Sequence, residues 1–131
     1  MGTILMLVLD TCALLWHTLD PSSLSPAAFS AIEAADTLLI SSVSLWEVAL
    51  KAKKHELELP MDIEEYAALV EQVDHYRILP LEASHWLASV RLEWDHCDPA
   101  DRLIVALAGL FHAGLVTSDT RMLKWYPMCV W

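Results

Sequence analysis

The chain is short of positive charge. Eight Lys and Arg stand against eighteen Asp and Glu, a net charge of −10 with His neutral. Such a balance repels a polyanion at long range. It argues against a nucleic-acid binder of the usual kind, which presents a basic surface. Phosphate chemistry on this chain has to rely on metal ions and a local Lys or Arg cluster, and the same acidity attracts a basic protein partner. Cysteine is scarce too: Cys12, Cys97 and Cys129 are odd in number, widely spaced and form no C-x-x-C. A disulfide framework is not expected, a reducing cytoplasm fits, and the thiols read as small hydrophobes in or near the core. No apolar run reaches the roughly 18 residues of a membrane span. Met1–Met6 has no basic region and no small-residue cleavage site, so it does not read as a signal peptide; Met6 is an alternative start. Also missing are G-x-S-x-G, Walker A, G-x-G-x-x-G and any zinc spacing, which removes the familiar serine-hydrolase, nucleotide and zinc readings.

What is present is apolar residue in quantity. The 131 residues are 56% hydrophobic, which predicts one packed domain over 1–131. No internal repeat, low-complexity tract or linker divides it. Ile4–Leu9 is a continuous apolar run, as expected of a central strand of a parallel sheet buried on both faces. Further strands are expected at Thr37–Ser41, Arg77–Leu81 (an edge strand, from Pro80), Leu115–Thr117 and Met128–Trp131. Between them lie helices at Cys12–Leu19, from Pro26 to about Ala35, Leu45–Lys54, Asp62–Asp74, Glu82–Trp94 (with Trp86, Leu87 and Val90 inward) and after Asp98-Pro99, stopped by Gly114. A last helical turn follows Asp119. Most of the six tryptophans are expected in the core. Strand and helix in alternation predict a three-layer α/β domain with a mainly parallel five-stranded sheet.

Acids stand where such a sheet binds ligands, outside the carboxyl ends of its strands. Asp10 closes the first strand and Asp119 follows the fourth. Glu47 and Asp101 are expected in the first turns of helices that start on the same rim, with Asp98 one position before Pro99. Four carboxylates brought together repel one another by about 1 to 4 kcal/mol per close pair, so they call for raised pKa values or a cation. An all-oxygen set with no paired His or Cys selects magnesium or manganese. Such a metal activates water and stabilises charge on a phosphodiester. The same acids also have structural readings. Ser44 and Glu47 have the spacing of a capping box, Asp98 and Asp101 share that offset, and Asp119 is a good N-cap. A phosphatase or phospho-acceptor fold with a strand-end Asp is a further class, but Asp10-Thr11-Cys12 lacks the D-x-D of one such group and the paired acids of another.

The segments Leu7-Val8-Leu9-Asp10-Thr11, Ser41–Glu47, Leu57-Glu58-Leu59-Pro60, His96–Ile104 and Leu115–Asp119, in that order and spacing, resemble the PIN-domain family, in particular the VapC-type ribonuclease toxins of toxin–antitoxin pairs. The resemblance runs from about Leu5 to Trp131. It implies a three-layer α/β/α fold with sheet order 3-2-1-4-5, and a Mg2+- or Mn2+-dependent endoribonuclease whose metal is held by Asp10, Glu47, Asp101 and Asp119. It further implies a homodimer and a small antitoxin with a basic segment. Cys12 stands where similar proteins often carry His or Asn. Asp98 reads more readily as a cap than as a ligand. Thr11 and Thr117 either orient a ligand carboxylate or satisfy turns. Lys51, Lys53, Lys54 and Arg102 are candidates for RNA phosphate contacts, the lysines alternatively balancing a helix C-terminus. His96, close to Asp98, is within reach of the site but reads more readily as a cap or solvent-facing residue. The alternative to the enzyme is a catalytically inactive PIN-like module whose acidic pocket binds a basic peptide.

Overall fold

A computed structural model describes residues 5–131; Met1–Ile4, including the first residue of the expected opening strand, lie outside the described residues. Five strands form one sheet in the order β3-β2-β1-β4-β5: β1 (Met6–Leu9), β2 (Thr37–Ser41), β3 (Tyr76–Leu79), β4 (Gly114–Val116) and β5 (Cys129–Val130). Every pairing is parallel. The apolar run of β1 takes the centre because both its faces are covered. Leu7 and Leu9 pack on one side and Val8 on the other; Leu38 and Ile40 of β2 oppose Leu39 in the same way. The alternation is the two-residue period of a strand, here apolar on both faces.

The first layer of helices is α1 (Thr11–Leu19), α2 (Pro26–Ala34) and α4 (Ile63–Gln72), which close over Leu7, Leu9 and Ile40. The second is α6 (Pro99–Leu110), with α5 (Ala83–Arg91) and α7 (Thr120–Trp125) outside it, over Val8, Leu39 and Leu115. Helix α3 (Ser42–Lys53) runs along the sheet rim and contributes Val48 to one side and Val43 to the other. As its apolar circumference requires, α6 is buried from Leu103 through Ala108.

Several elements depart from the pattern read in the sequence. Helix α3 begins three residues earlier than expected. Ser41 caps it through Val43 N–H, so Ser44 is not the N-cap and the Ser44–Glu47 capping box does not form. Gly114 does not stop α6. The chain turns through His112, at φ 51°, and Gly114 begins β4, where an added Cβ would lie 2.6 Å from Leu7 Cδ2. Trp86, Leu87 and Val90 face outward, Val90 at 75% exposure. None of the six tryptophans is buried, and Trp46 is 59% exposed. Cys12 and Cys97 are exposed and Cys129 is partly so, all three free thiols. The core is built of smaller side chains instead: Leu, Ile, Val and Ala make up nearly all of it.

Candidate metal centre

Parallel strands all point their carboxyl ends one way, so the loops leaving β1, β2 and β4 share one rim. Asp10, Glu47, Asp101 and Asp119 line one cavity of about 290 Å³ on that rim, with Thr11, Cys12, Lys51, Asp98 and Ser118. Four separate elements deliver the four acids. Asp10 ends β1 and caps α1; Glu47 projects from the second turn of α3; Asp101 lies in the first turn of α6; Asp119 caps α7.

Asp10 is the most enclosed, at 6% exposure. Its Oδ1 accepts from Ala13 N–H at 2.8 Å and its Oδ2 from the Thr117 hydroxyl at 2.6 Å. Thr117 Oγ1 in turn accepts from Asp119 N–H at 3.0 Å, so one hydroxyl ties the ends of β1 and β4 together. Burial pushes the Asp10 carboxyl up to about 6, helped by the charges of Asp101 and Asp119, although its hydrogen bonds to Thr117 and Ala13 oppose the shift. Glu47 is raised by burial and by Asp101 and Asp98; its bond from Thr11 and the nearby Lys51 oppose this. Thr11 Oγ1 bonds Glu47 Oε1 and lies 3.0 Å from Ser44 Oγ. Asp101 is raised by burial, against a hydrogen bond from His96, with Asp98 and Asp119 adding repulsion. Asp119 Oδ1 accepts from Arg121 and Met122 N–H. Asp98 is exposed and accepts Asp101 N–H at 3.0 Å, a cap in this structure.

The donor set suits a hard cation: oxygen only, partly buried, and carrying repulsion that a cation relieves. Among the described residues no three or more His, Cys, Asp or Glu side chains are already arranged around one point. Each carboxylate is turned instead to a hydrogen-bond donor of its own chain. Lys51 lines the cavity, while Lys53 and Lys54 are exposed. Arg102, a candidate phosphate contact in the sequence, points elsewhere. Its guanidinium does not face the cavity but bonds the carbonyls of Ser89, Val90, Leu92, Trp94 and His96, so it is committed to the protein and not to a phosphate. His96, read from the sequence more as a cap or solvent-facing residue than as part of the site, does reach it. It is buried, and its Nε2 lies 2.6 Å from Asp101 Oδ2. No local signal marks it, because the path of the 92–98 loop, not a helix face, brings the two side chains together.

Comparison with known proteins matches residues 7–126 to the PIN domain. The chain is 33% identical over 128 residues to Ribonuclease VapC22 of Mycobacterium tuberculosis, covering 95% of this chain and 97% of that protein. Among solved structures, a toxin–antitoxin complex from Klebsiella pneumoniae superposes with a TM-score of 0.63 at 27% identity, with 95% of each chain covered. VapBC2 from Rickettsia felis bound to a promoter DNA fragment shares the fold with a TM-score of 0.66 at 16% identity, covering 95% of this chain and 96% of that one. A sheet in the order 3-2-1-4-5 with acids gathered at its carboxyl rim is thus accompanied by likeness along nearly the whole sequence, and the chain belongs to the PIN-domain family, within its VapC-type group.

Proposed function

We propose that this protein is a Mg2+- or Mn2+-dependent endoribonuclease, the toxin of a toxin–antitoxin pair. The observation that carries the reading is the lining of one cavity by Asp10, Glu47, Asp101 and Asp119 from four element ends. The naming of the relative VapC22 as a ribonuclease supports it. Asp10, Glu47, Asp101 and Asp119 would hold the cation, with Asp98 at the margin. A divalent ion held there would supply the chemistry of water activation at neutral pH and of charge stabilisation on a phosphodiester. The chain's own groups do the rest. Thr117 and Thr11 keep the Asp10 and Glu47 carboxylates from swinging, and Lys51 stands in the cavity as its one cationic side chain among those lining it, placed to take a phosphate oxygen.

The net charge of −10 suits a small antitoxin whose basic segment enters the acidic cavity. A second copy of the chain is the proposed occupant of the apolar face made by Trp46 of α3 and Trp86, Leu87 and Val90 of α5, because monomeric proteins seldom leave such a patch in water. No helix among the described residues is long and apolar enough to cross a membrane, and with free thiols the protein is proposed to work in the cytoplasm.

The test is cleavage of a total RNA pool, read by sequencing the new 5′ ends, with Mg2+, Mn2+ or EDTA, and again with Asp101→Asn. Metal-dependent cuts lost in the variant are the expected result. An RNA pool left intact under every condition, together with tight binding of a basic peptide, would establish the non-catalytic module instead.

A further inference from the structure

The loop from Leu92 to Asp98 has no regular secondary structure, yet it is held from several sides. Arg102, in the first turn of α6, sends its guanidinium back into the preceding chain. Nε donates to Ser89 O at 3.1 Å, Nη2 to Leu92 O at 2.8 Å, and Nη1 to His96 O at 3.0 Å as well as to Trp94 O. One cation therefore satisfies the carbonyls that end α5 and fixes the loop behind it. Trp94 stacks on Trp125 with ring centres 5.4 Å apart, and its ring centre lies 4.7 Å from that of His96. Trp125 Nε1 donates to Glu93 O at 3.1 Å. All of this effort places one polar side chain, the buried imidazole of His96, with Nε2 at 2.6 Å from Asp101 Oδ2.

We propose that His96 is a positioning residue for the cation site, held in place by Arg102. Its Nε2–H donates to Asp101 Oδ2, stops the carboxylate from turning, and leaves Oδ1 as the oxygen offered to a cation. The inference rests on the cation reading of the cavity. Asp101 stands among three other acids lining that cavity, and their repulsion favours swinging its carboxylate away. A buried N–H donor opposes that swing at the cost of one lone pair. A carboxylate held this way loses less freedom on ligation, which is how partners behind metal ligands raise affinity.

The experiment titrates the full chain with Mn2+ alone, read by electron paramagnetic resonance of the free ion. The variants are His96→Leu and His96→Gln, each also made with Asp101→Asn. Expected is a loss of about 10- to 100-fold in Mn2+ affinity for His96→Leu. His96→Gln, whose amide can still donate, should recover most of it. With Asp101→Asn already present, His96→Leu should add nothing. Wild-type affinity in His96→Leu, or an equal loss in the Asp101→Asn background, overturns the inference and leaves the cation reading standing. A wild-type chain that takes up no Mn2+ overturns both. Should His96→Leu fail to fold, nitrogen-15 spectra of the wild-type imidazoles decide the matter. The proton must sit on His96 Nε2 and that signal must move as Mg2+ saturates the protein; a proton on Nδ1, or an unmoved signal, overturns the proposal.

Discussion

The Thr117 hydroxyl donates to Asp10 Oδ2 at 2.6 Å across 107 positions of sequence. The bond exists because β4 lies beside β1 in parallel register, Leu9 against Val116, so the residues that follow each strand emerge side by side. Thr117 is fully buried and serves two groups, donating to Asp10 and accepting from Asp119 N–H. Thr117→Val removes both bonds without changing the volume much. We expect a loss of about 1–3 kcal/mol in stability, the usual cost of stranding buried polar groups. Thr117→Ser should keep most of it. Urea unfolding of the three proteins in EDTA checks this, and equal midpoints would show that the hydroxyl is dispensable.

Asp10 makes the metal-free protein sensitive to pH. Its carboxyl is raised from the ordinary 3.8 to about 6, first by burial. Below the lower value both folded and unfolded chains hold the proton. Between the two values the unfolded chain releases it and the folded chain keeps it, so stability falls as pH rises through that window. Above about pH 6 the contribution is lost, on the order of 3 kcal/mol for a shift of that size. In EDTA the Asp10 contribution should therefore lower the unfolding midpoint between pH 4.5 and pH 7. Asp10→Asn should flatten that drop and be the more stable protein at pH 7, while abolishing RNA cleavage. A pH profile identical in wild type and Asp10→Asn would remove Asp10 from this account.

Magnesium should reverse the same penalty. A ligand that binds only the folded state stabilises it by about 2.7 kcal/mol at a hundredfold excess over its dissociation constant. At pH 7, saturating Mg2+ should raise the unfolding temperature of the wild-type chain. Asp101→Asn should respond far less, because a carboxylate that lines the cavity has been neutralised. Calorimetric scans with and without the ion make the comparison, and an equal rise in both proteins would place the bound ion somewhere else.

Gly114 separates what the sequence displays from what only the fold decides. In the sequence His112-Ala113-Gly114 after a long apolar helix reads as a stop signal. In the structure His112 takes the left-handed conformation at φ 51°, and Gly114 is a strand residue whose added Cβ would meet Leu7 Cδ2 at 2.6 Å and Met128 O at 3.4 Å. Gly114→Ala should then cost about 1–3 kcal/mol by crowding, relieved in part when Leu7 is also shortened to Val. His112→Gly should stabilise slightly by removing a left-handed non-glycine residue. Denaturation midpoints of the four proteins test the assignment; no relief from Leu7→Val would contradict it. The central β1 and the rim position of Asp10, Glu47, Asp101 and Asp119 were legible because apolar runs, proline and cap residues act locally; the strand order was not written in those signals and came only with the family resemblance. The start of α3 was not legible either, since Ser41, Ser42 and Ser44 are equally good caps and only the end of β2 chooses among them. Nor were the bond from His96 to Asp101 and the retreat of Arg102 into carbonyls, which depend on a loop path that no periodicity encodes.

Helix α5 shows the same limit in its exposed face. Ser89 points inward, while Trp86, Leu87 and Val90 are 40%, 55% and 75% exposed. Apolar spacing on a helix identifies a stripe that seeks cover but not whether the cover is the chain's own sheet or another molecule. Here α6 already fills the space over the sheet, so the α5 stripe is left for a partner, taken above to be a second copy. Val90→Glu places a charge in that stripe, at a position exposed enough that the monomer's own stability should change by no more than about 0.5 kcal/mol. Sedimentation velocity should show a wild-type dimer and a Val90→Glu monomer with the same circular dichroism. If the wild-type chain is monomeric alone and the variant instead loses affinity for its antitoxin, the antitoxin is the molecule that covers α5, and the second-copy reading is wrong.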